Sequence, residues 1–494
     1  MCQVAGLALL VCHVFLSKVS LFLFFPLPLI VLGAVYYKAR LAGLLLFFQF
    51  LIYQNWIISI LSDGMDYNTY MTLLGSSFAA LVVLSAISLT RLMSSKGRYP
   101  HDRLLLAVKL ALFVACVYAL IGLAKVGGSS AAVYFREATS LVLAVPIGLD
   151  VGRIWGYRTV AIGFLASAAL SVAVSAVEIA TPAAYYDAIN APTYVNMKYS
   201  RMESSMKDPL DAGLVYSGQQ LKDNQEAVFF NVTGSESNGR SFRFMGTTLN
   251  PIAYGYLLAD IALVSLSIGT IAWLWIVVPM MAMIGVKGAA LLSICSLALW
   301  LIWRLNHSRR FLFISGVILI AGYVAFGLSF GLQRGDWHVI GFLGGLKGLL
   351  SDPIGRGLGV GGNFSTLGMQ RVNWEQFQHT GATFALESAI GVLVYQMGIA
   401  SAAIFAIIVY LIKDAPFGLK KAAWRDIIFL GLATVTVNGI FQEEAFTSYS
   451  CGMFTLFASI ITANGYRESA LFAGKAAAAR LPRVRSLVPT RVGT

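Results

Sequence analysis

The residues of this chain that could do chemistry are few, and they gather in and around two polar stretches. The second stretch, 331–388, opens with Arg334, runs through an amphipathic segment at 337–350, and reaches a glycine-dense turn, GRGLGVGGN, at 355–363. Arg371, His379 and Glu387 follow before the chain turns apolar again. His379 and Glu387 are of the right type to act as a general base. Glu387 directly precedes an apolar helix, so its structural reading is a carboxylate at a helix N-terminus, where the dipole favours it. Glu443 and Glu444, at the mouth of the last hairpin, are second choices. Glycines such as Gly357, Gly359 and Gly361, with Asn363 closing the run, let backbone N–H groups approach an anion or a sugar. Their structural reading is a tight loop packed onto a bundle. The turn is no nucleotide-binding P-loop, because no Gly-Lys-Ser/Thr follows it.

The candidate cations are spread more widely. Arg136 and Glu137 fall inside an apolar run, where an ionisable residue is by default a functional hypothesis and, read structurally, an ion pair near the interface. Arg243 closes the first polar stretch just after Arg240, and Lys287 interrupts an apolar hairpin. Singly, each is commonly a snorkelling or solvated side chain. Together, Arg136, Arg243, Lys287, Arg334 and Arg371 would form a cationic pocket suited to phosphate or pyrophosphate.

The elements that must position these groups are membrane helices. Of the 494 residues, 58% are apolar and only 12% charged, and the mean hydropathy is +0.74. The chain is therefore an all-α polytopic membrane protein. Its net charge of +13 sits mostly in short loops and in the tail after Gly465. That pattern is positive-inside and gives no reason to invoke nucleic acid. The five cysteines form neither a CxxC pair nor a Cys/His cluster, so no disulfide and no metal site is expected. The apolar start, 4–16, lacks a small-residue cleavage site after it and is read as a span.

Spans of roughly 20 apolar residues can be placed at 4–16, 21–37, 41–61, 70–88, 104–124, 131–149 and 159–179, then 252–269, 271–286, 288–305, 311–330, 389–412, 427–441 and 448–462. The total is about 14, with Pro26 and Pro28 expected to kink the second. Basic loops at 38–40, 91–103, 153–158, 304–310 and 420–425 mark the cytoplasmic side and leave both termini there. The organisation that follows is an N-terminal bundle (1–180), a first long outer loop (181–250) and central membrane helices (251–330). A second long outer loop with the candidate active site (331–388), C-terminal membrane helices (389–464) and a basic cytoplasmic tail (465–494) complete it.

The order of motifs resembles a known family. RFMGTTLNP at 243–251 fits R-x-x-G-x-x-x-N-P, and VKGAA at 286–290 places a basic residue before Gly-Ala. Arg334 and Trp337 open the second loop, DPIGRGLGVG follows at 352–361, and Glu387-Ser388 precede an apolar helix carrying Gly398-Ile399. This arrangement, covering 136–399, is similar to Wzy-type O-antigen and exopolysaccharide polymerases and their relatives, the WaaL-type O-antigen ligases. The resemblance implies a GT-C-like, metal-independent inverting glycosyltransferase without a cofactor, with two long periplasmic loops, in a bacterial inner membrane. Its donor would be a polyprenyl-diphosphate-linked oligosaccharide, with membrane lipids around it and a chain-length regulator and a flippase as possible partners. Arg243 and Arg334 would hold the diphosphate, helped by Lys287. The family usually has Ser-Arg-Gly where this chain has Val-Lys-Gly, and a lysine gives a point charge without the bidentate fork. His379 is followed by Thr380 and later by Glu387-Ser388, which leans toward polymerase over ligase. A lipid-linked oligosaccharide flippase is the rival from another class. It is disfavoured because the span centres are nearly uncharged and no halves repeat.

Overall fold

The computed structural model describes residues 2–94, 102–197, 226–228, 240–334, 336–362, 365, 387–413, 415 and 424–480. In hydrocarbon every backbone amide needs an internal partner, so the apolar runs fold as helices. Those named below are α1 (Cys2–Val19), α2 (Pro26–Lys38), α3 (Arg40–Ile60), α4 (Ser76–Ser94), α5 (Asp102–Val126), α6 (Gly128–Gly152) and α7 (Tyr157–Ala180). After the first polar stretch come α8 (Pro251–Ser267), α9 (Leu274–Ile284), α10 (Lys287–Asn306) and α11 (Arg309–Arg334). The second stretch contributes α12 (Trp337–Ser351), followed by α13 (Ala389–Met397), α14 (Ala402–Lys413), α15 (Asp426–Asn438) and α16 (Met453–Arg480). Among the described residues the only strands are Glu226–Val228 and Arg240–Phe242, an antiparallel pair with Glu226 opposite Phe242.

Among the described residues eleven helical segments are long and apolar enough to cross a membrane, and the protein is a predominantly helical, multi-pass membrane protein. Three runs expected as spans, at 252–269, 271–286 and 427–441, form the shorter apolar helices α8, α9 and α15. The second span bends as its prolines require: a helical turn at Leu21–Phe24 stops, and Pro26 starts α2.

The bundle closes around α8, in which every residue but Ile252 is buried. Asn250 caps it, its Oδ1 accepting from the Ile252 and Ala253 amides at 2.9 and 3.2 Å, and Pro251 takes the first helical position. Helix α6 packs on α16 through Gly148 and Gly152, where a Cβ would stand 2.5 Å from the Leu456 carbonyl and 2.7 Å from that of Ile460. This small-xxx-small spacing is the usual route to close helix approach in a membrane. Helix α11, by contrast, lies on the outside of the bundle with few fully buried residues.

The bundle has two polar ends. At one, Arg40 and Arg91 meet Asp150 and Trp303 meets Asp426, the two groups being linked through Asn464 bonded to Trp155 and Arg425 over Tyr157. The α5–α6 connection at Gly127, the RFMGTTLNP segment, the α9–α10 connection and the Gln442–Glu444 turn share the other. The two are called the Arg40 end and the Gly127 end below.

Candidate functional site

The Arg243 segment is held by a residue that no motif points to. Glu178, fully buried near the end of α7, accepts the Met245 amide at 2.6 Å on one carboxylate oxygen and the Gly246 amide at 2.8 Å on the other. The Tyr186 hydroxyl donates to the same carboxylate. Gly246 has φ +56°, and an added Cβ would collide with the Tyr254 ring. Asn55 donates to the Thr248 carbonyl at 2.7 Å, and Thr247 bonds to Ser171 at 2.7 Å. The glycine and the Asn-Pro pair of the motif are thus backbone devices, and the arginine is what they present.

Arg243 donates from Nε to the Ile284 carbonyl at 3.1 Å, which fixes its guanidinium against the α9–α10 connection. Burial draws the Arg243 pKa below the usual arginine value, and the neighbouring Glu444 carboxylate opposes that shift. Two residues past Gly285, Lys287 opens α10 half-buried in its first turn. A cation there stands against the helix dipole, at a cost of about 0.3–1 kcal/mol. Something other than helix stability therefore fixes its place.

The acidic side comes from the connection between α15 and α16. Residues Glu443–Phe446 form a single 3₁₀ turn, and a π-helical turn, Ser448–Gly452, follows before α16. Such turns are frequent at functional sites. Glu443 is buried and accepts the Tyr134 hydroxyl at 3.1 Å. Glu444 lies within electrostatic reach of Arg243, Glu137 and Tyr256. A hydrogen-bond chain runs beside it: Tyr323 to Asn438 at 2.8 Å, Asn438 to Tyr256 at 2.6 Å, and Tyr256 to Gln442 at 2.8 Å. Gly288 admits this chain, since a Cβ there would be 2.6 Å from the Tyr256 hydroxyl.

The second polar stretch delivers a different histidine from the one expected. Asp336 caps α12, accepting the His338 amide at 2.9 Å. The His338 ring meets Glu387, with Nδ1 2.6 Å from its carbonyl and 3.8 Å from its carboxylate. Glu387 does not cap α13. Ser388 does, accepting the Gly391 amide at 3.1 Å and donating to the Gly439 carbonyl at 3.2 Å. Glu387 stands one residue earlier with φ +47°, a strained backbone for a side chain of that size. Its carboxylate is one-third exposed and within electrostatic reach of Glu443.

The glycine turn takes its structural reading. The Arg356 and Gly357 amides both donate to the Gln396 carbonyl at 2.9 Å, Leu358 donates to Tyr118 at 2.9 Å, and Gly361 to Ser365 at 3.2 Å. A Cβ at Gly357 would stand 2.7 Å from the Gly122 nitrogen, and one at Gly359 2.7 Å from that of Ala131. The Arg356 and Gly357 amides thus bind α13, that of Leu358 binds α5 and that of Gly361 stays within the turn, while the close approaches of Gly357 and Gly359 pack the turn on the α5–α6 hairpin.

Of the expected cations, the structure brings Arg136, Arg243 and Lys287 to the Gly127 end, Arg136 beside Glu137. Arg334 is the last residue of α11, shortly before α12 begins at the same end. Arg371, His379 and Asn363 lie outside the described residues. The sequence reading missed Glu178, His338, Gln396 and the Tyr256–Asn438–Gln442 chain. Glu178 had a signal, as a lone acid near the end of an apolar run. Chemically, the end pairs fixed cations with buried or half-buried carboxylates, as neutralising an anionic leaving group and accepting a proton would require. No protein-family model, curated protein or solved structure matches this chain.

Proposed function

We propose that this protein is a membrane glycosyltransferase that polymerises polyprenyl-diphosphate-linked saccharide units. The observation that carries the reading is the convergence of Arg243, fixed by Glu178 and Ile284, with Lys287 and the carboxylates of the Gln442–Glu444 turn at one end of the bundle. The motif order of the sequence supports it. In this reading the shorter helices α8, α9 and α15 are crossings too, which with the eleven longer segments makes 14 passes among the described residues. With the basic loops inside, the Gly127 end then faces the periplasm of a bacterial inner membrane.

In this reading Arg243, Lys287 and Arg334 hold the donor diphosphate, and Arg136 adds positive potential. Glu387, oriented by His338, takes the proton of the acceptor hydroxyl. The oxygen attacks the anomeric carbon, the bond from that carbon to the phosphate oxygen breaks, and the polyprenyl diphosphate leaves with its charge neutralised. A single displacement inverts the anomeric centre. Deleting the gene in its host and analysing lipid-linked and surface glycans tests the assignment. Single units without polymer are expected. Full-length polymer stranded on the carrier would indicate a ligase, units trapped on the inner leaflet a flippase, and unchanged glycans would overturn all three.

A further inference from the structure

A small cavity beside the proposed transfer site has a largely apolar wall, Ala138, Ala389, Val392, Leu393 and Phe446, into which polar side chains from three parts of the chain are set. These are Tyr134 and Glu137 of α6, Gln396 of α13 and Glu443 of the turn before α16, and the cavity volume is about 20 Å³. That is room for one water-sized body. Gln396 is 1% exposed. Its Nε2 donates to the Gly361 carbonyl at 2.8 Å, which sets the amide's orientation, and its buried Oε1 has no hydrogen-bond partner. A buried acceptor left in this condition is costly and calls for an occupant.

The charges around the cavity narrow what that occupant is. Glu137 and Glu443 both line the cavity, Glu137 lies within electrostatic reach of Glu443, Glu444 acts on both, and Glu387 also acts on Glu443. Arg136 lies beside Glu137, and the Tyr134 hydroxyl donates to Glu443. A neutral water would satisfy the amide oxygen and leave the carboxylates opposed. A cation answers both at once. The wall carries no thiol and no imidazole, and carboxylate and amide oxygens select hard ions.

We propose that this cavity binds a small hard cation of the sodium or calcium class, held by carboxylate oxygens of Glu137 and Glu443 and by Oε1 of Gln396. The ion would tie α6, α13 and the turn before α16 together. The ion would sit beside the transfer site and share Glu443 with its acidic side, but its test reads stability and not transfer, so the failure of one reading is distinguishable from the failure of the other.

The test is the thermal unfolding midpoint of the purified full-length protein in choline chloride against sodium, potassium, calcium and magnesium chlorides at equal ionic strength. Sodium or calcium should raise the midpoint saturably by about 3 °C or more. Gln396→Leu and Glu443→Gln should abolish the shift, and Gln396→Glu, which keeps an oxygen ligand, should retain it. If Gln396→Leu is not recovered from membranes, Glu137→Gln is read in its place. One midpoint in all five salts, or a shift that survives in these variants, overturns the proposal. So does a midpoint that follows pH and ignores the cation, since the acids would then share a proton.

Discussion

The two ends of the bundle use the same residue types to opposite effect. At the Arg40 end, Asp150 is 1% exposed and its Oδ2 gathers Arg40 at 2.8 Å, Arg91 at 3.3 Å and the Tyr36 hydroxyl at 3.3 Å. Four helices, α2, α3, α4 and α6, meet in that one contact. Arg304 lies over Trp300 and Trp424, Arg425 over Tyr157, and Trp303 donates to Asp426 at 2.6 Å. Charge here closes on charge or on aromatic faces and latches helices. At the Gly127 end, two carboxylates line one cavity within electrostatic reach of each other, and Arg243 is held by the Ile284 carbonyl while a remote acid, Glu178, holds the segment that follows it. Polar residues at a membrane-protein end therefore do not by themselves mark a site. What separates the two is whether the partners close on each other or are held apart.

The sharpest way to break this comparison is Asp150→Ala. It leaves two half-buried arginines without their acid, and the expected loss is about 3–5 kcal/mol, read as a lowered unfolding midpoint in detergent. The fraction that stays folded should keep its transfer activity per mole. A folded Asp150→Ala protein without activity would mean that the Arg40 end is no mere latch. Arg243→Ala should do the reverse, lowering polymer formation about 10²-fold or more while the protein stays in the membrane. Arg243→Lys keeps the charge but loses the Nε contact to Ile284, and it should fall between the two. Near-normal polymer from Arg243→Ala would remove the donor assignment.

The contrast between the ends also explains what could be read from sequence. Hydropathy located nearly all the helices, because each long apolar run in a membrane protein must be helical. It misjudged lengths where a glycine ends the helix early, as Gly285 does for α9 and Gly269, with φ +79°, for α8. The motif RFMGTTLNP was legible, and its arginine, glycine and Asn-Pro each have a structural use. Glu178 was not, since it lies 65 residues before Arg243 and only the fold brings its carboxylate to Met245 and Gly246. The glycine turn left two readings open in the sequence for a physical reason. Positive φ and close backbone approach serve packing against α5 and α6 as well as they would serve a ligand. His338 was passed over because it opens an amphipathic run, where only tertiary contact with Glu387 marks it.

Glu178→Gln sharpens the comparison at smaller magnitude. A glutamine leaves one acceptor oxygen where two amides need two, and it turns an NH₂ toward one of them. Polymer formation should fall about 10-fold as the Arg243 segment loosens, equivalent to roughly 1–2 kcal/mol. An unchanged rate would mean that Arg243 is held well enough by Ile284 alone.

The smallest effects differ in sign, which makes them informative. Arg304→Ala removes a cation resting on two indole rings, so stability should fall by about 0.5–1 kcal/mol, read as a slightly lower midpoint, with transfer unchanged. Lys287→Ala removes a cation that opposes the α10 dipole, so the midpoint should hold or rise slightly while transfer falls several-fold. Midpoint and rate measured on both proteins separate the two roles. A latch residue loses stability and keeps activity, whereas a site residue loses activity and costs the fold nothing. If Lys287→Ala lowers the midpoint and spares the rate, Lys287 belongs with the latches, and the cationic side of the site reduces to its arginines.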